Sequence, residues 1–381
     1  MSKAFDCLDH DLLLAKLSAY GISIRSIKLL YSYLRNRKHR VRIGSHLSSW
    51  LEALLGVPQG SILGPLLFNI FINDLFYIIQ DISNFADDNT LFSYEYSIDE
   101  VTSILVSRLE LVLDWFKCNS MVANPSKFQL IFPGFPNANI SLNIGNITIK
   151  SVETVKLLGV KIDSKLTFLP HVTELCKRSN HKLRALKRVR NFISQKQTEL
   201  LVNAYILSPF NYCPLIWMFC GKQGNRLIDR CHFRALRALK NDRGKDYASL
   251  LLACNAVNIH TRNLKLLILE TFKSLHCSGP PILQKIFSVN QTKHKLRSGL
   301  TLDFPSYKRY NSTFGVNTFD FRAVITWNRL PSSIKSIHDY NSFKEALQSI
   351  SPNCTCKIHL ILTLVLFSLL LFFMLFYRKL V

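Results

Sequence analysis

Apolar positions along the chain follow two different periods. Apolar residues three to four positions apart predict helices over 8–20, 24–36, 61–80, 97–116 and most of 170–240. Alternating positions or short apolar runs predict strands at 39–44, 50–54, 128–132, 140–144, 147–151 and 155–163, and two strands around an acidic turn within 82–93. Strands and helices are mixed early and helices dominate later. This order predicts an α+β unit followed by a helical one.

The last part of the chain has a different composition. Ile358–Tyr377 is a run of 20 residues without a formal charge, rich in Leu and Phe. As a helix it would span about 30 Å, the thickness of the hydrocarbon core of a bilayer. A buried core helix is the alternative, but little chain follows that would cover it. The run therefore predicts a transmembrane helix at 358–377 that contacts lipid and makes the chain a single-pass membrane protein, with its basic body in the cytosol.

The charge balance narrows the class of partner. Lys and Arg number 48 and Asp and Glu 25, so the net charge is +23. An excess of this size is typical of proteins that meet nucleic acid or an anionic membrane. Hydrophobic residues at 48% exclude a disordered chain. The ten cysteines include no CxxC pair, which favours reduced thiols over a disulfide framework.

Cations concentrate in the predicted helical region. Residues 177–190 hold seven Lys or Arg, and no acidic residue lies between Glu174 and Glu199. Arg226, Arg230, Arg234, Arg237 and Lys240 recur at helical spacing and so share one face. A solvated basic face is the alternative. The pattern favours contact with a nucleic-acid backbone through Arg184, Lys187, Arg188, Arg226, Arg230, Arg234 and Arg237.

Two short segments of the first unit carry candidate chemistry. Asp87 and Asp88 lie at the acidic turn between two apolar runs, and converged carboxylates are suitable ligands for Mg²⁺. An ordinary solvated turn is the alternative. Upstream, Gly56 and Gly60 flank Pro58-Gln59 just before a predicted helix. Such a loop leaves backbone open to a ligand and Gln59 free to bond it, although an ordinary helix-entry turn has the same composition.

These segments belong to an ordered series of motifs. They are Ser2-Lys3-Ala4-Phe5-Asp6, Gly56–Pro65, Phe85-Ala86-Asp87-Asp88, Asn124-Pro125-Ser126-Lys127, Leu157-Leu158-Gly159-Val160 and, further on, Tyr212–Trp217, Ala235-Leu236-Arg237 and Trp327-Asn328-Arg329-Leu330-Pro331. In this order the chain resembles the reverse transcriptases of non-LTR retrotransposons of the LINE or jockey-like kind. The resemblance covers about residues 1–350.

The resemblance implies a right-hand polymerase with a palm and a helical thumb. Its substrates would be an RNA template with a DNA primer, or an RNA–DNA heteroduplex, and deoxynucleoside triphosphates. In the family three aspartates hold two Mg²⁺ ions, and Asp87 and Asp88 match two of them. Phe5 matches the aromatic gate against a 2′-hydroxyl, and Gln59 and Gly60 match the loop that touches the nucleotide. Lys127 matches a lysine near the triphosphate, with a solvated surface lysine as the alternative.

The first metal-binding aspartate of the family motif would precede Met1, and Asp6 is the other aspartate of that motif. We therefore expect an N-terminally truncated RNA-directed DNA polymerase with little or no activity. The alternative is a membrane-anchored, non-catalytic nucleic-acid-binding protein, or a nuclear protein if the tail is not used.

The expected domains are a partial fingers and palm at 1–165, a thumb-like region at 166–245, a C-terminal region of the element protein at 246–350 and the membrane helix.

Overall fold

The computed structural model describes residues 4–95, 97–135, 139–242, 244–276, 279–289, 301–303 and 318–350. They divide into two compact units. The first unit holds the residues up to 130 and those from 139 to 151, and the second holds residues 131–135 and those from 152 onward.

The first unit combines five helices with short antiparallel hairpins. Its helices are α1 (His10–Ala19), α2 (Ile24–Leu34), α3 (Leu63–Ile72), α4 (Leu75–Ile78) and α5 (Ile98–Cys118). Its strands are β1 (Lys38–His39), β2 (Arg42–Ile43), β3 (His46–Leu47), β4 (Leu51–Glu52), β5 (Ile82–Phe85), β6 (Asp88–Leu91), β7 (Ser141–Ile144) and β8 (Ile147–Lys150). The strands pair as β1 with β4, β2 with β3, β5 with β6 and β7 with β8.

Helices of the first unit enclose an apolar core that includes Leu13, Phe68 and Phe71, each fully buried. Lys16 enters this core, and its Nζ lies 2.7 Å from Asp74 Oδ2 and 4.3 Å from the centre of the Phe71 ring. Burial lowers the pKa of Lys16, although the hydrogen bond to Asp74 opposes that shift. A buried charge with a direct partner keeps the ends of α1 and α3 in one arrangement.

The described residues of the second unit are mainly helical. Its hairpin consists of β9 (Thr154–Leu157) and β10 (Val160–Asp163). Its helices are α6 (Leu169–Val189), α7 (Gln195–Leu201), α8 (Pro214–Trp217), α9 (Gly221–Lys240), α10 (Tyr247–Ala253), α11 (Ile259–Leu275), α12 (Pro281–Gln284), α13 (Phe319–Asn328), α14 (Ser332–Lys335) and α15 (Tyr340–Gln348).

Three apolar clusters stabilise the second unit. One joins the β9–β10 hairpin to α6 around Trp217, which is fully buried. A second lies between α6 and α9, and a third joins α11, α13 and α15 through Phe272, Trp327 and Phe343. The rings of Phe272 and Phe343 stack with centroids 4.2 Å apart. α6 and α9 thus pack by the periodic apolar faces that the sequence predicted for 170–240, whereas the sequence pattern predicted no elements for α11, α13 and α15.

Two strand predictions were wrong. Residues 155–163 form a hairpin and not a single strand, because Leu158 and Gly159 have φ of +44° and +87° and turn the chain. Residues 128–132 contribute an isolated bridge from Leu130 to Ser151 and no strand. The expected palm is represented only by hairpins, because in the described residues every sheet has two strands. The mixed α+β class predicted for the first part of the chain is confirmed. The β9–β10 hairpin belongs to the same unit as the helices that follow it.

Within the described ranges no helix is both long and apolar enough to cross a bilayer. The predicted span Ile358–Tyr377 lies outside those ranges, so it stays a prediction.

Candidate functional site

The loop at 56–60 lies directly on the segment that contains Phe5. Gly56 N–H donates to the Leu8 carbonyl at 2.8 Å, and Val57 N–H donates to the Phe5 carbonyl at 2.9 Å. Gly56 has φ of +79°, and a Cβ there would lie 2.7 Å from Phe5 O. Only glycine allows this approach. The predicted gate and the predicted nucleotide loop therefore come together in the fold.

Side chains also stabilise the contact between the 56–60 loop and the Phe5 segment. The His10 imidazole donates through Nε2 to the Gly56 carbonyl at 2.7 Å, and the Arg37 guanidinium donates to that oxygen as well. The Gln59 amide donates to Asp6 Oδ1 at 2.7 Å. Because a carboxylate only accepts, this bond fixes Nε2 toward Asp6 and leaves Oε1 of Gln59 available.

The Phe5 ring is held on its other side. It stacks on Phe68 of α3 with centroids 4.7 Å apart and planes 28° apart. Gly60, at the other end of the loop, has φ of +81° and open space where a Cβ would stand. The Phe5 segment thus presents a fixed aromatic ring, and the loop presents an exposed amide and an unobstructed backbone position.

The β5–β6 hairpin carries the two aspartates. Phe85 pairs with Asp88, so Ala86 and Asp87 form a two-residue turn, and Ala86 has φ of +53°. A non-glycine residue in that region costs about 1–2 kcal/mol. The side chain of Asn84 stabilises the turn by donating to Ala86 O at 2.6 Å and to Asn89 Oδ1 at 2.8 Å.

The base of this hairpin is clamped by a residue of α5. Arg108 donates to the Phe92 carbonyl at 2.7 Å and forms an ion pair with Asp81. Asp81 and Phe92 directly precede and follow the paired strands. The clamp therefore fixes the hairpin relative to α5. The local sequence does not predict this contact, because Arg108 and Asp81 lie 27 residues apart.

The carboxylates of the turn are the groups that would hold Mg²⁺. Asp87 is half-buried and Asp88 is exposed, and neither side chain makes a hydrogen bond or ion pair with another described residue. Within the described ranges no cluster brings together three or more metal-binding side chains. The two carboxylates are the groups that would hold one Mg²⁺ with water or phosphate as its other ligands, and the described residues do not supply a three-carboxylate set.

Lys127 lies at the end of a 3₁₀ turn, Pro125–Lys127, in the first unit. Asn124 caps the turn by accepting from Ser126 N at 3.1 Å. The Lys127 side chain is exposed. No contact in the described part of the chain joins it to the hairpin turn or the 56–60 loop, so its role stays a prediction.

The seven predicted backbone-binding cations all lie on α6 or α9. Six are exposed, and Arg237 is half-buried with its guanidinium 4.2 Å from the Phe233 ring centre. None of the seven forms an ion pair with a carboxylate of the described residues. Ion pairing with surface carboxylates therefore does not explain this set of cations.

Contacts between α6 and α9 show that the two helices run in parallel. The Cys231 thiol contacts the Cys176 carbonyl at 4.0 Å, and one turn onward Arg234 donates to Asn180 Oδ1 at 3.3 Å. We call the cations on these neighbouring helices the basic track, defined as Arg184, Lys187, Arg188, Arg226, Arg230, Arg234 and Arg237.

Comparison with known proteins identifies the domain in the first part of the chain. The profile of the reverse transcriptase (RNA-dependent DNA polymerase) family matches residues 1–162. The chain carries a reverse transcriptase domain related to the RNA-directed DNA polymerases of non-LTR retrotransposons. The resemblance inferred from the ordered motifs is thereby confirmed for the reverse transcriptase domain.

Three relatives of the reverse transcriptase domain come from Drosophila melanogaster. The probable RNA-directed DNA polymerase from transposon BS is 29% identical over 265 residues, which cover 63% of this chain and 28% of the relative. The RNA-directed DNA polymerase from mobile element jockey is 26% identical, over 55% of this chain and 23% of the relative. The probable RNA-directed DNA polymerase from transposon X-element is 27% identical, over 56% of this chain and 24% of the relative. The chain thus spans about a quarter of the length of these relatives.

Proposed function

We propose that this chain binds an RNA–DNA template–primer through the basic track and offers a nucleotide site in its reverse transcriptase domain, with weak nucleotidyl transfer. The observation that carries the nucleotide site is the docking of loop 56–60 on the Phe5 segment. In support of it, Phe68 holds the Phe5 ring, and the exposed Gln59 amide bonds to Asp6, the residue next to Phe5. A deoxynucleoside triphosphate is the ligand that such a gate and loop select in this family.

Each residue has a defined part in this proposal. Phe5, held by Phe68, excludes a 2′-hydroxyl by contact. Gln59 offers its Oε1 and second N–H to the nucleotide, and Gly60 leaves room for it. Lys127 offsets negative charge on the triphosphate. Asp87 and Asp88 would hold Mg²⁺, which when bound supplies the positive charge that phosphoryl transfer requires.

Weak transfer follows from the ligand set. Two carboxylates offset less of the charge of a divalent ion than three do, so the pair should bind Mg²⁺ loosely. Poor placement on the order of 1 Å can cost about 10²-fold in rate. We therefore expect template–primer binding to persist where primer extension is slight.

Salt dependence of binding tests the basic track. The chain should bind a heteroduplex with an affinity that falls steeply with salt, because each neutralised phosphate releases counterions. Replacing Arg226 and Arg230 by Gln should reduce the slope of log K against log salt by about 2, at about 0.9 for each duplex phosphate contact. Lys285 and Lys344, also exposed, provide a control of equal charge. An equal loss of slope in both double variants would contradict the assignment.

A non-catalytic, membrane-anchored nucleic-acid-binding protein is the second candidate. The observation in its favour is the uncharged run Ile358–Tyr377. Carbonate extraction of membranes that contain the full chain should leave it in the pellet, and a variant that ends at residue 350 should be released. Release of both would contradict a spanning tail.

A further inference from the structure

The turn between α6 and α7 holds an aromatic ring in solvent. Phe192 is 87% exposed, whereas the next residue, Ile193, packs against the core between α6 and α9. Single exposed apolar side chains are common on protein surfaces, so the exposure alone marks no site. What distinguishes Phe192 is the way its turn is built and where the turn lies.

This turn is held by side-chain hydrogen bonds on both sides of the ring. Before Phe192, Arg190 donates to Gln195 Oε1 at 2.5 Å. After it, Ser194 and Gln197 form a reciprocal capping box at the start of α7. A capping box satisfies two backbone donors and stabilises the first turn of a helix. The ring is therefore presented by an ordered turn.

The turn also lies at the end of the basic track. Gln195 Nε2 donates to the Leu239 carbonyl at 2.6 Å, which sets the turn beside the last residues of α9. Arg237 and Lys240 lie within two residues of Leu239, and on the α6 side Lys187 and Arg188 directly precede the turn. Cations from both parallel helices thus lead to one exposed ring.

This combination suits one class of ligand. A run of unpaired cations attracts the phosphates of a nucleic-acid strand, and an aromatic ring at its end offers a stacking surface to a base. A stacked base strengthens such binding by about 5-fold to 150-fold, whatever its identity. An anionic lipid surface would also attract the cations, but the track lies along two parallel helices, a layout that follows a strand.

We propose that Phe192 stacks on an unpaired or terminal nucleobase of the nucleic acid that the basic track holds. This assignment rests on the proposed function, because it assumes that the track binds a heteroduplex. It adds a base-stacking site that the charge pattern alone does not contain.

Fluorescence and binding measurements on the full chain test the site. The probe is an RNA–DNA heteroduplex with a short RNA overhang that carries 2-aminopurine, a base whose fluorescence responds to stacking. Phe192→Ala should weaken binding about ten-fold, which is within the range for one stacked base, and should abolish the fluorescence change. The salt slope should stay unchanged, because no charge is removed.

Three further variants make the test specific. Phe192→Trp should retain binding, since the ring is kept, and Phe192→Leu should behave like Phe192→Ala. Leu252→Ala, at a side chain of α10 that is 83% exposed, is the matched control and should bind like the wild type. Equal thermal unfolding of all variants establishes that they fold alike.

The outcomes separate the two proposals. Salt-dependent binding that Phe192→Ala leaves unchanged would overturn the stacking site and leave the proposed function intact. Full retention of heteroduplex binding in Phe192→Leu would also overturn the stacking site. So would a loss in Phe192→Ala that appears only with phosphatidylserine vesicles, which would assign the ring to lipid. Absence of heteroduplex binding by the wild-type chain would overturn both proposals.

Discussion

The Gln59 side-chain amide donates a 2.7 Å hydrogen bond to the carboxylate of Asp6, which lies 53 residues earlier in the sequence. Together with the Val57–Phe5 backbone bond, this contact makes the 56–60 loop and the Phe5 segment one structural element. Asp6 thus orients Gln59.

Removing either partner should loosen the loop by a similar amount. We expect Asp6→Ala and Gln59→Ala each to raise amide hydrogen exchange at residues 56–60, and the double variant to raise it no further. The coupling should be about 0.5–1.5 kcal/mol, as for a typical side-chain hydrogen bond. Asp11→Ala, which breaks an exposed ion pair with Arg35, is the control and should leave the loop unchanged. Additive effects of the two changes would show that the bond does not order the loop.

Two glycines of the same loop should respond differently to alanine. Both have positive φ, but a Cβ at Gly56 would meet backbone atoms at 2.7 Å, whereas none lies within 4 Å of one at Gly60. Gly60→Ala should cost only the conformational strain, about 1–2 kcal/mol. Gly56→Ala should cost about 3 kcal/mol or more, because overpacking adds to that strain. Urea unfolding of the two variants makes the comparison, and equal costs would contradict the tight docking of the loop.

Arg108 should govern the order of the aspartate hairpin. Arg108→Met removes the bonds to the Phe92 carbonyl and to Asp81, and should lower the free energy of unfolding by about 1–2 kcal/mol. Hydrogen exchange within residues 82–91 should rise at the same time. Arg25→Met, at an exposed arginine of α2, is the control. Unchanged exchange in the hairpin would mean that its own strand pairing suffices.

The helical unit should lose stability in mild acid. Burial, with a smaller effect from Arg178, lowers the pKa of His171 to about 4. The unfolded chain therefore binds a proton near pH 6.5 that the folded chain refuses, so stability falls as the pH drops from about 6.5 to 4. At pH 5 the part of this loss that is due to His171 should be about 2 kcal/mol.

Urea unfolding at pH 7 and pH 5 measures this loss. His171→Gln should reduce it, and His181→Gln, at an exposed histidine of the same helix, should not. An equal pH effect in wild type and His171→Gln would rule out His171 as the cause.

Local pattern predicted much of the fold. The helices at 10–19, 24–34 and 98–118 follow from apolar spacing and from capping residues such as Ser97. The 155–163 segment was mispredicted because its turn begins with Leu158, a residue that rarely adopts positive φ. Local propensity carries no information about a conformation imposed by tertiary contact, and here the Tyr212 hydroxyl donates to the Leu158 carbonyl at 2.6 Å.

The candidate site was also predicted only in part from the sequence. Its residues were found through ordered motifs, but the contacts that position them were not. Asp6, His10 and Arg37 act on the 56–60 loop from distant positions in the sequence, and nothing in their spacing indicates it. Such contacts depend on how helices pack, which periodicity does not specify.

Primer extension by the full chain on an RNA template, measured in Mg²⁺ beside heteroduplex binding by the same preparation, tests the central claim most directly. The chain should bind the template–primer and extend it little above background, and Asp87→Asn should remove what extension remains without weakening binding. Robust Mg²⁺-dependent extension that Asp87→Asn abolishes would contradict the account, because it would require a further carboxylate, such as Asp6, to complete the metal site.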